Sequence, residues 1–419
     1  MRSLFFVISI ALFKSGIAVI NIQDFLFPKN PEVKRVRSFD DPNKLYDDSG
    51  ILDFIGLVTK HGYPAEEHNI TTKDGYNIVL HRIPGSPVAT NTLPKRIVYI
   101  QHGMLASSDT WVMMGPGKDL GYLLADAGYD VWFGNVRGNS YCRSHKTLKP
   151  TDREFWQFSY EEIGLYDVAS MIDYILKVTG KRNLLYIGHS MGTTAMYVLL
   201  SSKPEYNKKA SLVVGLAPVA YFRHNRSPLL RYLVNKGPEI EELFEKNHIY
   251  DAGALTNNNA KIARTLCKDR SITQPFCVSF IFMFAGIDVP QLNTTLLPYM
   301  LSYYPDGVSV RTLGHYMQNI ATGTFAPYDE GQKRKFARQR QKKSTEYDLK
   351  RITAPQALVY AANDALVNAE DVADLRKRLP NVVIYEEIPY KLFTHMDYLW
   401  AIDAKALLYD RVIDILRQF

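Results

Sequence analysis

Signatures of metal, nucleotide and redox chemistry are missing from this chain. It has no GxxxxGK[ST] phosphate loop, no HExxH pair, no cysteine pair at zinc spacing and no GxGxxG turn after a strand pattern. No metal and no organic cofactor are implied. Three cysteines in 419 residues exclude a disulfide-stapled scaffold, and a chain this long builds its core without one. No run of 18 apolar residues occurs, so no stable membrane span is expected. The final Asp-Ile-Leu-Arg-Gln-Phe carries neither a retention signal nor a GPI-type tail. Charge is only mildly unbalanced, at +7. Much of the excess lies in Lys333, Arg334, Lys335, Arg338, Arg340, Lys342 and Lys343. That stretch reads as a solvated helix face, with attraction to anionic lipid surfaces as the functional alternative.

What is present begins with a secretory pattern. Met1 and Arg2 form a short basic start, Leu4 to Phe13 is apolar, and Gly16-Ile-Ala18 supplies small residues for cleavage. Residues 1–18 are read as a signal peptide, because ten apolar residues broken by Lys14 are too few for a span. The mature chain is then expected in a secreted or lysosomal compartment, with no nucleic-acid partner. Sequons at Asn69, Asn225 and Asn293 fit that route, and Pro228 counts against use of Asn225. An oxidising lumen permits one disulfide among Cys142, Cys267 and Cys277. Cys267 and Cys277 could close a short loop; three buried free thiols is the other reading.

Strand and helix patterns alternate along most of the chain. Ile70–Thr72 and Tyr76–Ile83 flank an Asp-Gly turn and read as a hairpin. Buried-strand patterns follow at 96–100, 129–133, 184–187 and 212–216, with helical spacing over 119–127, 163–178 and 193–202 between them. From about Pro218 to Lys350 only helical and loop patterns occur. Strands resume at 356–360 and 382–385, and a last helix starts near Tyr398. This order predicts a mostly parallel α/β sheet covered by helices on both faces, with a helical insertion late in the sheet.

Gly188-His-Ser-Met-Gly192 closes one strand pattern and opens a helical one. A serine there sits on a strand-to-helix turn so sharp that flanking glycines are needed. Ser190 is thus a candidate nucleophile. Such a hydroxyl needs a base, and the base needs an orienting acid, in the chain order Ser, acid, His. Asp364 follows a late strand pattern, and His395 is the only histidine after His315. Asp371 and Asp374 fall in a helical pattern and read as surface charges, while Asp397 reads as a helix cap. The oxyanion of an acyl-transfer intermediate needs two donors. The candidates are the N–H groups of Met191, after the serine, and Met104, in the Gln101–Leu105 loop whose Gly103 lets backbone approach substrate. His102 reads as structural.

Beyond these residues, the chain resembles the acid lipases, the family of gastric and lysosomal acid lipase and their insect relatives. The resemblance is carried by Gly62–Glu67, Thr71–Tyr76, His81–Pro84, Gln101–Ser107, Gly134–Asn139, Phe155–Ser159, Gly188–Thr194, Asn363–Asp364 and Thr394–Asp397. It implies an α/β-hydrolase fold: an eight-stranded core over residues 19–217 and 351–419, with a helical cap at 218–350. It implies hydrolysis of triacylglycerols or cholesteryl esters at a lipid–water interface, with Ser190, Asp364 and His395 as triad and Met104 and Met191 as oxyanion donors. It also favours a Cys267–Cys277 disulfide, with Cys142 free. Met191 and Met104 stand where the family often has Gln and Leu, and residues 331–346 are more basic than the matching segment. A non-catalytic lipid carrier is the main competing function, but it would be expected to lack a triad member. An acyltransferase would use the same acyl-enzyme.

Overall fold

The computed structural model describes residues 35–38, 51–89, 95–224, 228–254, 257–329 and 345–419. The proposed signal peptide, the Asn225 sequon and the basic stretch 333–343 lie outside them. Eight strands of three or more residues form one sheet: β1 Glu66–Thr71, β2 Tyr76–Ile83, β3 Ile97–Gln101, β4 Asp130–Gly134, β5 Leu184–His189, β6 Ala210–Leu216, β7 Gln356–Tyr360 and β8 Val382–Glu387. Their spatial order is β8-β7-β6-β5-β3-β4-β2-β1, and the two-residue strand Ser144–His145 adds to β2. Pairings from β4 to β8 are parallel, while β1–β2 and β2–β4 are antiparallel. β3, β4 and β5 are buried at every position, because helices cover both faces of a parallel sheet. β1 alternates half-buried and exposed, as an edge strand does. In the hairpin turn Gly75 has φ +101°, and a Cβ there would meet the His145 ring at 2.5 Å.

The α-helices of four or more residues that precede the insertion among the described residues are α1 Phe54–Thr59, α2 Leu120–Asp126, α3 Ala169–Thr179 and α4 Met191–Ser202. Between β6 and β7 come α5 Pro228–Lys246, α6 Asn257–Leu266, α7 Gln274–Ala285, α8 Leu297–Met300 and α9 Val310–Thr322. Two short strands in this segment, Asp251–Ala252 and Val308–Ser309, pair only with each other. Cys267 and Cys277 are joined, tying the end of α6 to α7, and Cys142 is free and buried. Leu297, Met300 and Tyr303 pack into the main core, whereas Phe280 and Met283 are exposed. After β7 follow α10 Ala369–Arg378, α11 Asp397–Trp400 and α12 Asp410–Arg417. The last helix read from the sequence is thus a single turn, and a second helix closes the chain.

One buried ion cluster locks the early half of the sheet. Arg137 is 2% exposed and bonds Asp167 at 2.6 Å and Asp74 at 2.7 Å. Its guanidinium also lies 3.9 Å from the centre of the Tyr76 ring. Asp74 is in the β1–β2 turn and Asp167 is in the π-helical turn Ile163–Val168 before α3, so the arginine joins a hairpin to a helix. Burial pushes the Asp167 carboxyl up, and Arg137 opposes that shift. Replacing Arg137 with Met strands a carboxylate in the core. Chemical denaturation should show a loss of about 3–5 kcal/mol; a loss under about 1 kcal/mol would show the cluster to be dispensable.

Candidate functional site

The site lies where the carboxyl ends of β3, β5, β7 and β8 meet, the usual crevice of an open α/β sheet. Ser190 links β5 to α4 with φ 51° and ψ −118°. Non-glycine residues rarely hold positive φ, and such strain persists only where the surroundings impose it. Here they do. The Ser190 N–H bonds Leu216 O at 3.0 Å, fastening the elbow to β6. A Cβ on Gly192 would lie 2.5 Å from Gln101 O, and one on Gly188 would lie 2.9 Å from the Thr193 nitrogen.

The structure brings Ser190, His395 and Asp364 together. His395 Nε2 lies 3.0 Å from Ser190 Oγ, and His395 Nδ1 lies 2.8 Å from Asp364 Oδ2. The other carboxylate oxygen of Asp364 accepts the N–H groups of Leu366 and Val367, both at 2.8 Å. Asp364 and His395 are 8% and 4% exposed, so their contact is shielded from water. The His395 N–H bonds Ala285 O at 3.1 Å, so the end of α7 helps hold the histidine loop.

Gly103 packs the β3 loop against the elbow, since a Cβ there would lie 3.1 Å from Ser190 Cβ. Among the described residues the N–H groups of Met104 and Met191 have no hydrogen-bond acceptor. For Met191 this follows from its place as first residue of α4, where N–H groups have no intrahelical partner. His102 donates from Nδ1 to Gly103 O at 2.7 Å, and burial pushes its pKa down to about 4, so it is a neutral loop residue. His189 is buried with its ring centre 5.0 Å from that of His395. Burial first, and His395 second, hold its pKa well below the ordinary histidine value.

Two acidic residues differ from the sequence reading. Asp371 is not a surface charge: it is 3% exposed and accepts the N–H groups of Arg223 at 2.8 Å and His224 at 3.1 Å. Asp374, by contrast, is a surface charge, contacting the exposed Lys377 and His224. Asp397 is the first residue of α11 rather than its cap, and accepts from the N–H and hydroxyl of Thr394 at 2.6 and 2.7 Å. Burial pushes its carboxyl up to about 6. Asn69 is exposed on edge strand β1, and Asn293 is half-buried with Oδ1 accepting the Leu296 N–H.

Sequence reasoning missed the support under the β3 loop. The carbonyl of Leu105, a residue at φ +63°, accepts the Asp306 N–H at 2.7 Å. Asp306 accepts from Arg35 at 3.0 Å, and Arg35 also contacts Asp109, in the same loop as Leu105. Tyr141 OH bonds Asp109 at 2.7 Å. Residues from the N-terminal segment and the insertion thus brace the loop, and no local pattern links positions so distant. No group of His, Cys, Asp and Glu suited to a metal ion occurs among the described residues.

The sheet order and the strand–serine–helix elbow define an α/β hydrolase, and a family model for the alpha/beta hydrolase fold matches residues 96–401. A second model, for a partial alpha/beta-hydrolase lipase region, matches residues 54–115. Lipase 1 of Drosophila melanogaster is 38% identical over 368 residues, covering 86% of this chain and 78% of its own. Human gastric triacylglycerol lipase is 34% identical over 373 residues, covering 88% and 91%. A solved structure from Sulfolobus solfataricus shares the fold, with TM-score 0.56, 16% identity and coverage of 84% of this chain and 94% of that one. The chain belongs to the acid-lipase family of the α/β hydrolases and is a lipase-type carboxylic ester hydrolase.

The elbow's tolerance for a side chain can be tested directly. Gly192→Ala places a methyl against Gln101 O and should cost about 1–3 kcal/mol. The displaced serine should lower hydrolysis of a soluble nitrophenyl ester by roughly 10²-fold. Wild-type melting temperature and rate would show that the turn has room.

Proposed function

We propose that the chain hydrolyses neutral lipids, triacylglycerols and by extension cholesteryl esters, through an acyl-enzyme on Ser190. The observation that carries this reading is the unbroken contact from Ser190 Oγ through His395 to Asp364, at 3.0 and 2.8 Å. In this reading His395 Nε2 takes the serine proton as Oγ attacks the ester carbonyl, then gives it to the leaving alcohol. Water, deprotonated by the same nitrogen, releases the fatty acid. Asp364 holds the Nδ1–H tautomer and stabilises the imidazolium, while the Leu366 and Val367 N–H groups fix the carboxylate. The Met104 and Met191 N–H groups donate to the oxyanion.

Residues 218–350 are the proposed cap over this crevice, which on an open sheet would be wet. The fastening of Ala285 O to the His395 loop supports that placement. The neutral-lipid substrate rests on family membership and on the name of the human relative. A secretory destination, secreted or lysosomal, is part of this proposal; the N-terminal pattern and the same relatives support it, and glycans are proposed at Asn69 and Asn293. No helix among the described residues is long and apolar enough to cross a membrane.

Ser190→Ala should lower ester hydrolysis by roughly 10⁶-fold with folding intact, as in known triads. Asp364→Asn should lower it by ~10⁴-fold, whereas Asp371→Asn, at a carboxylate that bonds Arg223 and His224 and not His395, should stay within tenfold of wild type. Rates on a soluble ester check all three, and the reverse ranking of the two aspartates would move the acid to position 371. On substrates, triolein emulsion should be turned over faster than dispersed tributyrin or a short nitrophenyl ester. An enzyme active only on monomeric short esters, with bile salt present, would remove the lipid substrate and leave the hydrolase.

A further inference from the structure

Two buried carboxyls meet beside the triad. Asp288, three residues past the end of α7, is 1% exposed, and Asp397, two residues past His395, is 5% exposed. Their side chains are in hydrogen-bond contact. Asp397 Oδ2 accepts the N–H and hydroxyl of Thr394. Asp288 Oδ1 accepts the Tyr390 hydroxyl at 3.0 Å, but its buried Oδ2 meets no donor among the described residues. Two ionised carboxylates offer each other only acceptors, so this contact is a hydrogen bond only when one of them carries a proton. Two acids that share a dry site respond by keeping a proton between them.

The pair lies on a seam where residues 285–292 of the insertion run beside 394–403. Ala285 O accepts the His395 N–H, Gln291 O accepts the Ile402 N–H at 3.0 Å, and Leu292 bridges Ala401. Asp288 and Asp397 tie the seam between these bonds. Asp397 also holds Thr394, the residue before His395, so the histidine turn is gripped through this carboxyl. The other groups facing the pair are Tyr390 on the loop before α11, the Gln291 N–H in the insertion, Tyr398 on α11 and Asp403 beyond it. All are neutral or acidic, and among the described residues no lysine, arginine or histidine forms an ion pair with either carboxyl.

We propose that Asp288 and Asp397 share a single proton, and that this proton positions His395 by clipping the insertion to the histidine turn. Both are positioning residues that act through the loop, and the role rests on the Ser190–His395 mechanism proposed above. With the proton in place, Asp397 donates to Asp288 Oδ2 and still accepts from Thr394. Once the proton passes to water, two carboxylates face each other, the bond becomes a repulsion, and the seam loosens next to His395. Burial first, and then the charge of Asp288 against the Thr394 donors, pushes the Asp397 carboxyl up to about 6. Burial raises Asp288 as well. The folded chain therefore keeps this proton to higher pH than the unfolded chain, where a free aspartate releases it near about pH 4. The stability it gives is complete below that value and is lost as pH rises past about 6.

The test is Asp397→Asn in the full chain. The amide oxygen keeps the Thr394 bonds, and the amide nitrogen donates to Asp288 with no titrating proton, so the tie holds at every pH. Melting temperature, and kcat and KM on soluble nitrophenyl butyrate, are followed from about pH 4 to 8. Other titrating groups act alike in both proteins, so the difference isolates the pair. Relative to the variant, the wild-type melting temperature should fall across this range. The ratio of wild-type to variant kcat should fall at least about fivefold, with the KM ratio unchanged. Infrared difference spectra between about pH 5 and 8 should show one more buried carboxyl losing its proton in the wild type than in the variant. Should Asp397→Asn fold poorly, Asp288→Asn carries the same test with its amide donating to Asp397. An equal infrared loss, or parallel melting profiles, would overturn the shared proton. So would stabilisation by added calcium that the variant lacks, since the contact would then belong to a cation. Parallel kcat profiles would overturn its part in placing His395. A wild type that cleaves no ester at any pH, with the infrared difference present, would instead overturn the Ser190–His395 mechanism.

Discussion

Ser190 holds a backbone conformation, φ 51° and ψ −118°, that an L-residue keeps only under constraint from all sides. Much of the site's geometry follows from it. β5 must end beneath the serine and α4 must start directly after it, which leaves the Met191 N–H free beside the hydroxyl. The sheet must bring Gln101 O so close that only glycine fits at 192, and this same approach delivers Gly103 to the serine. The bond from Ser190 N–H to Leu216 O fastens the elbow to β6, a strand buried at all but one position. A turn of this kind is stable because the parallel strands on either side are rigid and dry.

Around the elbow, polar contacts join segments that are far apart in sequence. Arg35 contacts Asp109 and Asp306, and Asp306 N–H bonds Leu105 O, so the N-terminal segment, the insertion and the β3 loop share one buried junction. Asp371 fixes the N–H groups of Arg223 and His224 at the start of the insertion. Ala285 O fixes its middle to the loops of Asp364 and His395. The insertion is therefore fastened at points that also touch the loops of the site. Unsatisfied buried backbone groups are costly, so each fastening is a commitment of the fold.

The sheet was largely legible because its central strands are short, wholly apolar and bounded by turns, a pattern that burial on both faces imposes. β1 was read four residues short: Glu66-Glu-His-Asn69 is polar, and only pairing with β2 makes it a strand. The short strands at 251–252 and 308–309 are too brief to leave any periodicity. Ser190, Asp364 and His395 could be chosen from chain order and strand ends, and the structure places them within hydrogen-bond reach. Asp371 could not be read correctly. An acidic residue in a helical pattern looks solvated, and its partners are backbone groups about 150 positions away, which carry no side-chain signature. Arg35 was invisible because its partners, Asp109 and Asp306, lie far from it and from each other in sequence.

The most direct measurement is a crystal structure of the enzyme inactivated with a long-chain alkylphosphonate. Phosphorus should be bonded to Ser190 Oγ, with a phosphonyl oxygen about 2.7–3.1 Å from both the Met104 and the Met191 nitrogen. His395 Nε2 should remain within hydrogen-bond reach of the serine oxygen. Attachment to another residue, or a phosphonyl oxygen turned away from both nitrogens, would contradict this assignment of the site.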